Sequence, residues 1–114
     1  MTSVLIVDDY APFRDSARGL LEGGGFEVVG EAEDGHQALR LAEELHPDVV
    51  LLDVHMPDLD GFEVTRRLVK LDPAPAVVLT SSRDDYALLA AKTAARGFIR
   101  KDALSAEALR STLG

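Results

Sequence analysis

The clearest signal for the fold lies in residues 49–61, which read Val49-Val50-Leu51-Leu52-Asp53-Val54-His55-Met56-Pro57-Asp58-Leu59-Asp60-Gly61. The first four residues form an unbroken run of Val and Leu, which is typical of a parallel strand covered on both faces. Asp53 follows that run directly. Asp60 precedes a helical pattern and belongs to a residue type that caps helices. The stretch therefore predicts a buried strand that ends at a carboxylate, then a short loop and a helix.

Four more apolar runs have the length and composition of strands, at residues 4–7, 26–29, 76–79 and 97–99. The runs at 4–7 and 76–79 are nearly continuous in Val, Ile and Leu, so we predict central strands there. The runs at 26–29 and 97–99 are less apolar, which favours edge strands.

Helical periodicity fills the intervals between these runs. The first helix has Pro12 in its opening turn and stops at a run of three glycines, residues 23–25. Asp34 and Ser105 are placed to cap the second and fifth helices, and the fourth is predicted over residues 84–95. Pro47 and Pro73 lie beyond the second and third helices. The apolar residues expected on the buried sides of the first three helices are Phe13, Ala17, Leu20, Leu21, Ala38, Leu41, Ala42, Leu45, Val64, Leu68 and Leu71.

Strands and helices thus alternate five times with short connections, a (βα)5 pattern. This pattern predicts an α/β fold with a doubly wound, five-stranded parallel sheet, and we expect the strand order 2-1-3-4-5. The 114 residues fit one domain, 1–114, in which we expect no output domain.

Composition narrows the function classes. A formal net charge of −8 disfavours direct nucleic-acid binding, which needs a basic patch. The chain has no cysteine, which excludes disulfides, thiolate metal sites and cysteine nucleophiles. No apolar stretch is long enough to span a membrane, and the N-terminal residues lack the basic region of a signal peptide. We therefore expect a cytoplasmic protein without a membrane partner.

Side chains that can bind a metal ion or take part in chemistry follow the predicted strands. Asp8 and Asp9 follow the first run, Asp53 the third, Thr80 the fourth and Lys101 the fifth. Ligands of open α/β sheets bind outside the carboxyl ends of the strands, where the strand order reverses, so we expect these side chains to cluster. An isolated Asp in such a position is more often a turn or cap residue. The prediction depends on all of them occurring together in this order.

Clustered carboxylates repel one another unless a cation lies among them. Two unit charges about 4 Å apart interact by about 4 kcal/mol at an effective dielectric constant near 20. Oxygen ligands without His or Cys favour a hard ion, Mg²⁺ or Ca²⁺, and a small number of protein ligands favours Mg²⁺. A metal ion, a Lys and a hydroxyl group together suit a phosphoryl group.

Four segments together resemble the response-regulator receiver family of two-component signal transduction, whose fold is flavodoxin-like. They are the acidic pair after residues 4–7, the phosphoacceptor signature Asp-x-x-Met-Pro-x-x-Asp-Gly at 53–61, the run Val77-Val78-Leu79-Thr80-Ser81-Ser82, and Gly97-Phe98-Ile99-Arg100-Lys101. The resemblance covers the whole chain. It implies a phosphorelay protein that accepts a phosphoryl group from a sensor histidine kinase or a histidine phosphotransfer protein.

The resemblance implies roles for the residues of the acidic cluster. Asp53 would be the phosphoacceptor. Asp8, Asp9, Asp53 and the backbone carbonyl of His55 would hold Mg²⁺. Lys101 would pair first with the Asp53 carboxylate and then with the phosphoryl oxygens. Whether the His55 side chain takes part in the chemistry or is only a solvated loop residue stays open.

The resemblance also implies a switch. Thr80 would shift toward the phosphoryl group, and Phe98 would turn inward into the space it leaves. This movement would alter the surface formed by helix 4, strand 5 and helix 5, where a homodimer is expected to form.

The chain departs from the family pattern in places. Asp102 follows Lys101 where much of the family has Pro, a pair that resembles receivers attached to helix-turn-helix output domains. Phe98 stands where Tyr is frequent. Ser81 would replace Thr80 if the register of the fourth strand were shifted by one residue.

Three alternatives to a phosphoryl-accepting switch make different demands on the sequence. A Mg²⁺-dependent phosphohydrolase with an Asp nucleophile would carry Asp-x-Asp after the first strand, whereas this chain has Asp8-Asp9-Tyr10. A nucleotide or flavin module would need a Gly-rich or Ser/Thr-rich phosphate loop there. An interaction domain that is never phosphorylated stays open from the sequence.

Overall fold

The computed structural model describes residues 1–83 and 87–114. Within them, five strands alternate with five helices as the sequence predicts. The strands are β1 (Ser3–Val7), β2 (Glu27–Ala32), β3 (Val49–Asp53), β4 (Ala76–Ser81) and β5 (Gly97–Arg100). The helices are α1 (Ala11–Gly23), α2 (Gly35–Leu45), α3 (Gly61–Leu68), α4 (Ala87–Ala90) and α5 (Ala106–Leu113), and a 3₁₀ turn at Lys101–Ala103 precedes α5.

The strands form one parallel sheet in the order β2-β1-β3-β4-β5, which confirms the predicted doubly wound, flavodoxin-like topology. The less apolar strands β2 and β5 are the edges, as expected. Val7 pairs with Leu52, and Asp53 pairs with Thr80. These registers bring the carboxyl ends of β1, β3 and β4 level with one another.

The helices cover both faces of the sheet, and each face has its own apolar cluster. Ile6, Leu51 and Val78 lie on the face covered by α1 and α5. Leu52 and Leu79 lie on the opposite face, which is covered by α2, α3 and α4. Because successive side chains of a strand alternate between faces, Asp53 and Thr80 lie on the same side as Leu51 and Val78.

Side-chain caps begin three of the helices, as the sequence predicts. Asp34 accepts a hydrogen bond from the Gln37 amide at 2.8 Å, and Asp60 accepts one from the Glu63 amide at 2.8 Å. Ser105 caps α5 in the same way. Each cap satisfies an amide that the first turn of its helix leaves without a partner.

The structure corrects two expectations about buried residues. Leu20 is 46% exposed and Leu45 is 40% exposed. The buried residues of α1 are Ala17 and Leu21, and Leu20 lies a quarter-turn away from Leu21. Leu45 ends α2 over the edge strand β2, where its Cδ1 approaches Gly30. Leu71 lies beyond the end of α3, but it is half-buried and packs against the apolar cluster that contains Val64 and Leu68, as expected.

The predicted fourth helix is too long at its C-terminal end. Its predicted start at Asp84 lies outside the described residues, and the observed helix stops at Ala90 rather than Ala95. The Thr93 hydroxyl donates to the Ala90 carbonyl at 2.7 Å, and the Thr93 amide donates to the same carbonyl at 3.0 Å. A hydroxyl that takes a helix carbonyl in this way competes with continuation of the helix. None of the helices in the described part of the chain has the length and apolarity needed to cross a membrane.

Candidate functional site

Three carboxylates meet at the carboxyl ends of β1 and β3. Asp8, Asp9 and Asp53 each offer an oxygen atom, and these atoms lie within 4.8 Å of one another. Asp8 is fully buried, Asp53 is 3% exposed and Asp9 is exposed. The structure thus brings together the acidic residues that the sequence places after separate strands.

Lys101 points its ammonium group into this cluster. Its Nζ lies 2.6 Å from Asp8 Oδ2 and 3.4 Å from Asp53 Oδ2, so the shorter contact is with Asp8. Burial lowers the pKa of Lys101, but the hydrogen bond to Asp8 and the charge of Asp53 outweigh that effect and raise it overall. The ring of Phe13, on α1, lies 4.8 Å from the same Nζ, close enough for a cation–π contact.

The negative charge of Asp53 is only partly compensated by its neighbours. Burial is the main cause that raises its pKa to about 6, and the nearby Asp8 carboxylate adds to the rise. Lys101 and the His55 amide, which donates to Asp53 Oδ1 at 3.3 Å, act in the opposite direction. The carboxyl group therefore titrates near neutrality but is mainly ionised at pH 7.

Thr80 contributes a buried hydroxyl group to the site. Thr80 is 1% exposed, and its Oγ1 finds no hydrogen-bond partner among the described residues. Thr80 is the strand neighbour of Asp53. Ser81, the alternative in the sequence, lies on the other face of the sheet, and its Oγ accepts a hydrogen bond from the Arg83 amide at 3.1 Å. A buried hydroxyl that makes no hydrogen bond lowers the stability of the fold by about 1–3 kcal/mol. Thr80 is therefore a candidate for binding a ligand in the pocket.

His55 and Phe98 lie at the margins of this arrangement. The His55 side chain is exposed, and its contact with Asp53 is made by its backbone amide. Phe98 is half-buried and packs against the apolar cluster that contains Leu79, its strand neighbour. Phe98 thus lies on the opposite face of the sheet from Thr80. This placement differs from the expectation that Phe98 would turn directly into the space that Thr80 leaves.

A second acidic residue ties the loop after β3 to a neighbouring helix. Asp58 accepts hydrogen bonds from the amides of Gly35 and His36 at the start of α2, and from Leu59 in its own loop. Burial opposes its ionisation, but these hydrogen bonds outweigh that effect and lower the pKa of Asp58 to about 2. This contact, like that of Phe13 with Lys101, joins segments far apart in the chain, so sequence spacing carries no signal for it.

The residues present fit a hard divalent cation. Three carboxylates against one ammonium leave an excess of negative charge. Burial first, and then the Asp8 carboxylate, raise the pKa of Asp53 despite the nearby Lys101, so a further positive charge would stabilise the ionised carboxylate. All donors are oxygen atoms, which are the ligands that Mg²⁺ and Ca²⁺ prefer.

Comparisons with known proteins agree with this arrangement. The transcriptional regulatory protein YdfI of Bacillus subtilis (strain 168) is 36% identical, and the match covers 99% of this chain and 54% of that protein. The chemotaxis protein CheY of Thermotoga maritima is 36% identical, with coverage of 86% and 83%. The chain spans about half the length of the curated transcriptional regulators that it matches.

A solved structure and a protein family also match this chain. The signal receiver domain of NarL from Mycobacterium tuberculosis superimposes with a TM-score of 0.87 at 35% identity, over 99% of this chain and 97% of that one. The family described as response regulator receiver domain matches residues 4–113. With nearly its full length matched and with the acidic cluster at the expected sheet edge, this chain belongs to the response regulator receiver family of two-component signalling proteins.

Proposed function

We propose that this domain is a phosphorylation switch that accepts one phosphoryl group on Asp53 in a Mg²⁺-dependent reaction. The observation that carries the proposal is the surroundings of Asp53. Its buried carboxylate lies near the Asp8 carboxylate and the Lys101 ammonium, and its strand neighbour Thr80 carries a hydroxyl that has no partner among the described residues. The excess negative charge suits a divalent cation. The unsatisfied hydroxyl and the Lys101 ammonium, together with that cation, suit the oxygen atoms of a phosphoryl group.

The chemical step is an in-line displacement at phosphorus. An ionised Asp53 oxygen attacks the phosphorus of a phosphohistidine on a sensor histidine kinase or a histidine phosphotransfer protein. The new O–P bond forms as the P–N bond breaks, and the electron pair returns to the imidazole nitrogen. A pKa of about 6 leaves Asp53 ionised at neutral pH, as the attack requires.

The neighbouring residues place and neutralise the transferred group. Asp8, Asp9, Asp53 and the His55 carbonyl would hold Mg²⁺, which supplies positive charge against the phosphoryl oxygens. Lys101 moves its ion pair from the carboxylates to a phosphoryl oxygen. The Thr80 hydroxyl donates a hydrogen bond to another phosphoryl oxygen and so gains a partner that the described residues do not provide.

The response travels from β4 to β5. A shift of Thr80 toward the phosphoryl group displaces the end of β4, and Leu79 carries that displacement to Phe98 on the other face of the sheet. The surface of α4, β5 and α5 changes with it and serves as the output and homodimer surface. Leu89 of α4, 47% exposed, is its apolar contact. The domain acts as a cytoplasmic signalling module and not as an enzyme.

Intact mass measurement after incubation with acetyl phosphate tests this function. We expect the wild type to gain the mass of one phosphoryl group with Mg²⁺ and none with EDTA. The Asp53→Asn variant should gain nothing, because the amide is not a nucleophile toward phosphorus. Asp15→Asn, at an exposed position of α1, is the matched control and should behave as the wild type. Equal labelling of the Asp53→Asn variant, or labelling in EDTA, would refute the proposal.

A further inference from the structure

A side chain of α1 contacts the backbone of the acidic pocket. Arg14 Nη1 donates to the main-chain carbonyl of Asp8 at 2.6 Å, and Arg14 Nε donates to Glu31 Oε1 at 3.1 Å. Only 15% of the Arg14 side chain is exposed. Arg14 therefore joins α1, the edge strand β2 and the turn that follows β1.

The carbonyl that Arg14 contacts belongs to the peptide between Asp8 and Asp9. The Asp8 amide donates to the Ala32 carbonyl at 3.0 Å, and Asp8 Oδ1 accepts from the Tyr10 amide at 2.9 Å. Asp8 Oδ2 is paired with the Lys101 ammonium. The main-chain carbonyl is the remaining polar group of Asp8, and Arg14 binds it. Because a peptide is planar, fixing its carbonyl also fixes the direction in which Asp9 leaves the strand.

Glu31 holds Arg14 in this position. Its second oxygen, Oε2, accepts a hydrogen bond from Arg18 Nε at 2.8 Å, one helical turn after Arg14. The hydrogen bond from Arg18 is the main cause that lowers the pKa of Glu31, with that from Arg14 in support. Glu31 therefore stays ionised and offsets the positive charge that Arg14 brings close to a pocket for cations.

We infer that Arg14 is a positioning residue of the metal pocket. Through the Asp8 carbonyl it sets where the exposed Asp9 carboxylate lies relative to Asp8 and Asp53, and so sets the affinity for Mg²⁺. The inference deepens the proposed function and rests on it. It gives a half-buried arginine beside a cation site a role that its charge alone would oppose.

Calorimetric titration of the full chain with MgCl₂ tests the inference, with Arg18 as a matched control. Arg18→Met removes the same charge and an equivalent contact with Glu31 but does not touch Asp8. Loss of a positive charge by itself strengthens cation binding. We expect Arg14→Met to do the opposite and weaken Mg²⁺ binding about tenfold, the range seen when a partner that orients a ligand is removed. Arg18→Met should bind at least as tightly as the wild type.

Two further measurements separate positioning from a general loss of structure. Arg14→Lys keeps the charge but loses the planar fork that reaches Asp8 and Glu31 together, so binding should weaken by a smaller factor. In phosphorylation by acetyl phosphate, the Mg²⁺ concentration for half-maximal rate should rise in Arg14→Met, while the rate at saturating Mg²⁺ stays at the wild-type value.

Two outcomes would overturn the inference. One is a folded Arg14→Met variant that binds Mg²⁺ as tightly as Arg18→Met. The other is seen in EDTA, where the backbone amide resonance of Asp9 should move in Arg14→Met and not in Arg18→Met; equal spectra in that region would exclude the positioning contact. A wild type that binds no Mg²⁺ would instead refute the proposed function, and the metal-free spectra would still decide the role of Arg14.

Discussion

At the scale of single residues, Asp53 is a buried carboxylate that its surroundings satisfy only in part. It is 3% exposed, yet its contacts with the His55 amide and the Lys101 ammonium are 3.3 Å and 3.4 Å long. Charge-assisted hydrogen bonds are commonly 2.7–2.9 Å, about half an ångström shorter. Asp53 is thus ionised in a site that only partly stabilises its charge, which makes it available to a phosphoryl group or a cation.

This imbalance predicts a dependence of stability on pH. The pKa of Asp53 rises from 3.8 to about 6 on folding, so the folded state holds its proton more tightly than the unfolded state. Protonation of Asp53 therefore favours the folded state. This contribution to stability is fully present below about pH 4, where the unfolded state is protonated too, and it is lost as the pH rises through 6. Without metal, Asp53→Asn should unfold with the same free energy as the wild type at pH 4 and with about 3 kcal/mol more at pH 7.

Urea unfolding of both proteins in EDTA, at several pH values from 4 to 7, measures this difference. Other carboxylates titrate in both proteins alike, so only the difference between the two curves reports on Asp53. A difference that is constant across this range would show that the pKa of Asp53 is not raised.

Sequence reasoning located the residues of the site but not their pairing. The strand ends identified Asp8, Asp9, Asp53, Thr80 and Lys101, because each lies within two residues of the end of an apolar run. Two features depend on distances across strands: the shorter contact of the ammonium with Asp8, and the lack of a partner for the Thr80 hydroxyl within residues 1–83 and 87–114. Chain order does not contain those distances.

At the scale of elements, the start of α3 is fitted closely to the end of β3. A Cβ atom on Gly61 would lie 2.6 Å from the carbonyl oxygen of Asp53 and 2.8 Å from Cα of Val54. Both are backbone atoms, which cannot rotate away. The Gly61 amide also donates to the Val54 carbonyl at 2.8 Å. The helix therefore sits directly against the strand residue that we propose is phosphorylated.

Two glycine substitutions separate this contact from helix propensity. Gly61→Ala should lower the free energy of unfolding by about 1–3 kcal/mol, the usual cost of forcing extra volume into a packed region. Gly19→Ala, in the exposed middle of α1 where a Cβ meets nothing within 4 Å, should raise it by about 0.5–1 kcal/mol. Chemical denaturation measures both, and an increase in both variants would contradict the close contact at Gly61.

Helix ends differ in how well a sequence predicts them. Asp34, Asp60 and Ser105 act through amides of their own first turns, so a local pattern is enough to place them. The end of α4 depends instead on Thr93, whose hydroxyl takes the Ala90 carbonyl, and on the Arg96 amide, which donates to Val77 of β4 at 2.7 Å. The second of these contacts is set by the sheet, and an Ala-rich periodic pattern gives no sign of it.

At the scale of the whole molecule, the net charge of −8 and the acidic pocket both favour cations, but in different ways. Dispersed surface charge is screened by any salt, and the effect depends on ionic strength. A site of three carboxylates selects a divalent ion and stabilises the folded state through mass action. Salt that is matched in ionic strength but different in valence therefore separates the two effects.

Above the dissociation constant, MgCl₂ should raise the free energy of unfolding by about 1.4 kcal/mol for each tenfold increase in concentration, while KCl of equal ionic strength gives a small and saturating gain. Asp9→Asn should abolish the Mg²⁺-specific gain, because Asp9 is an exposed carboxylate whose removal costs the fold little but takes a ligand from the pocket. Asp15→Asn changes the net charge equally and should retain the gain. If KCl matched MgCl₂, or if both variants lost the gain together, the stabilisation would come from the charge of the molecule as a whole and not from a site built at the ends of β1 and β3.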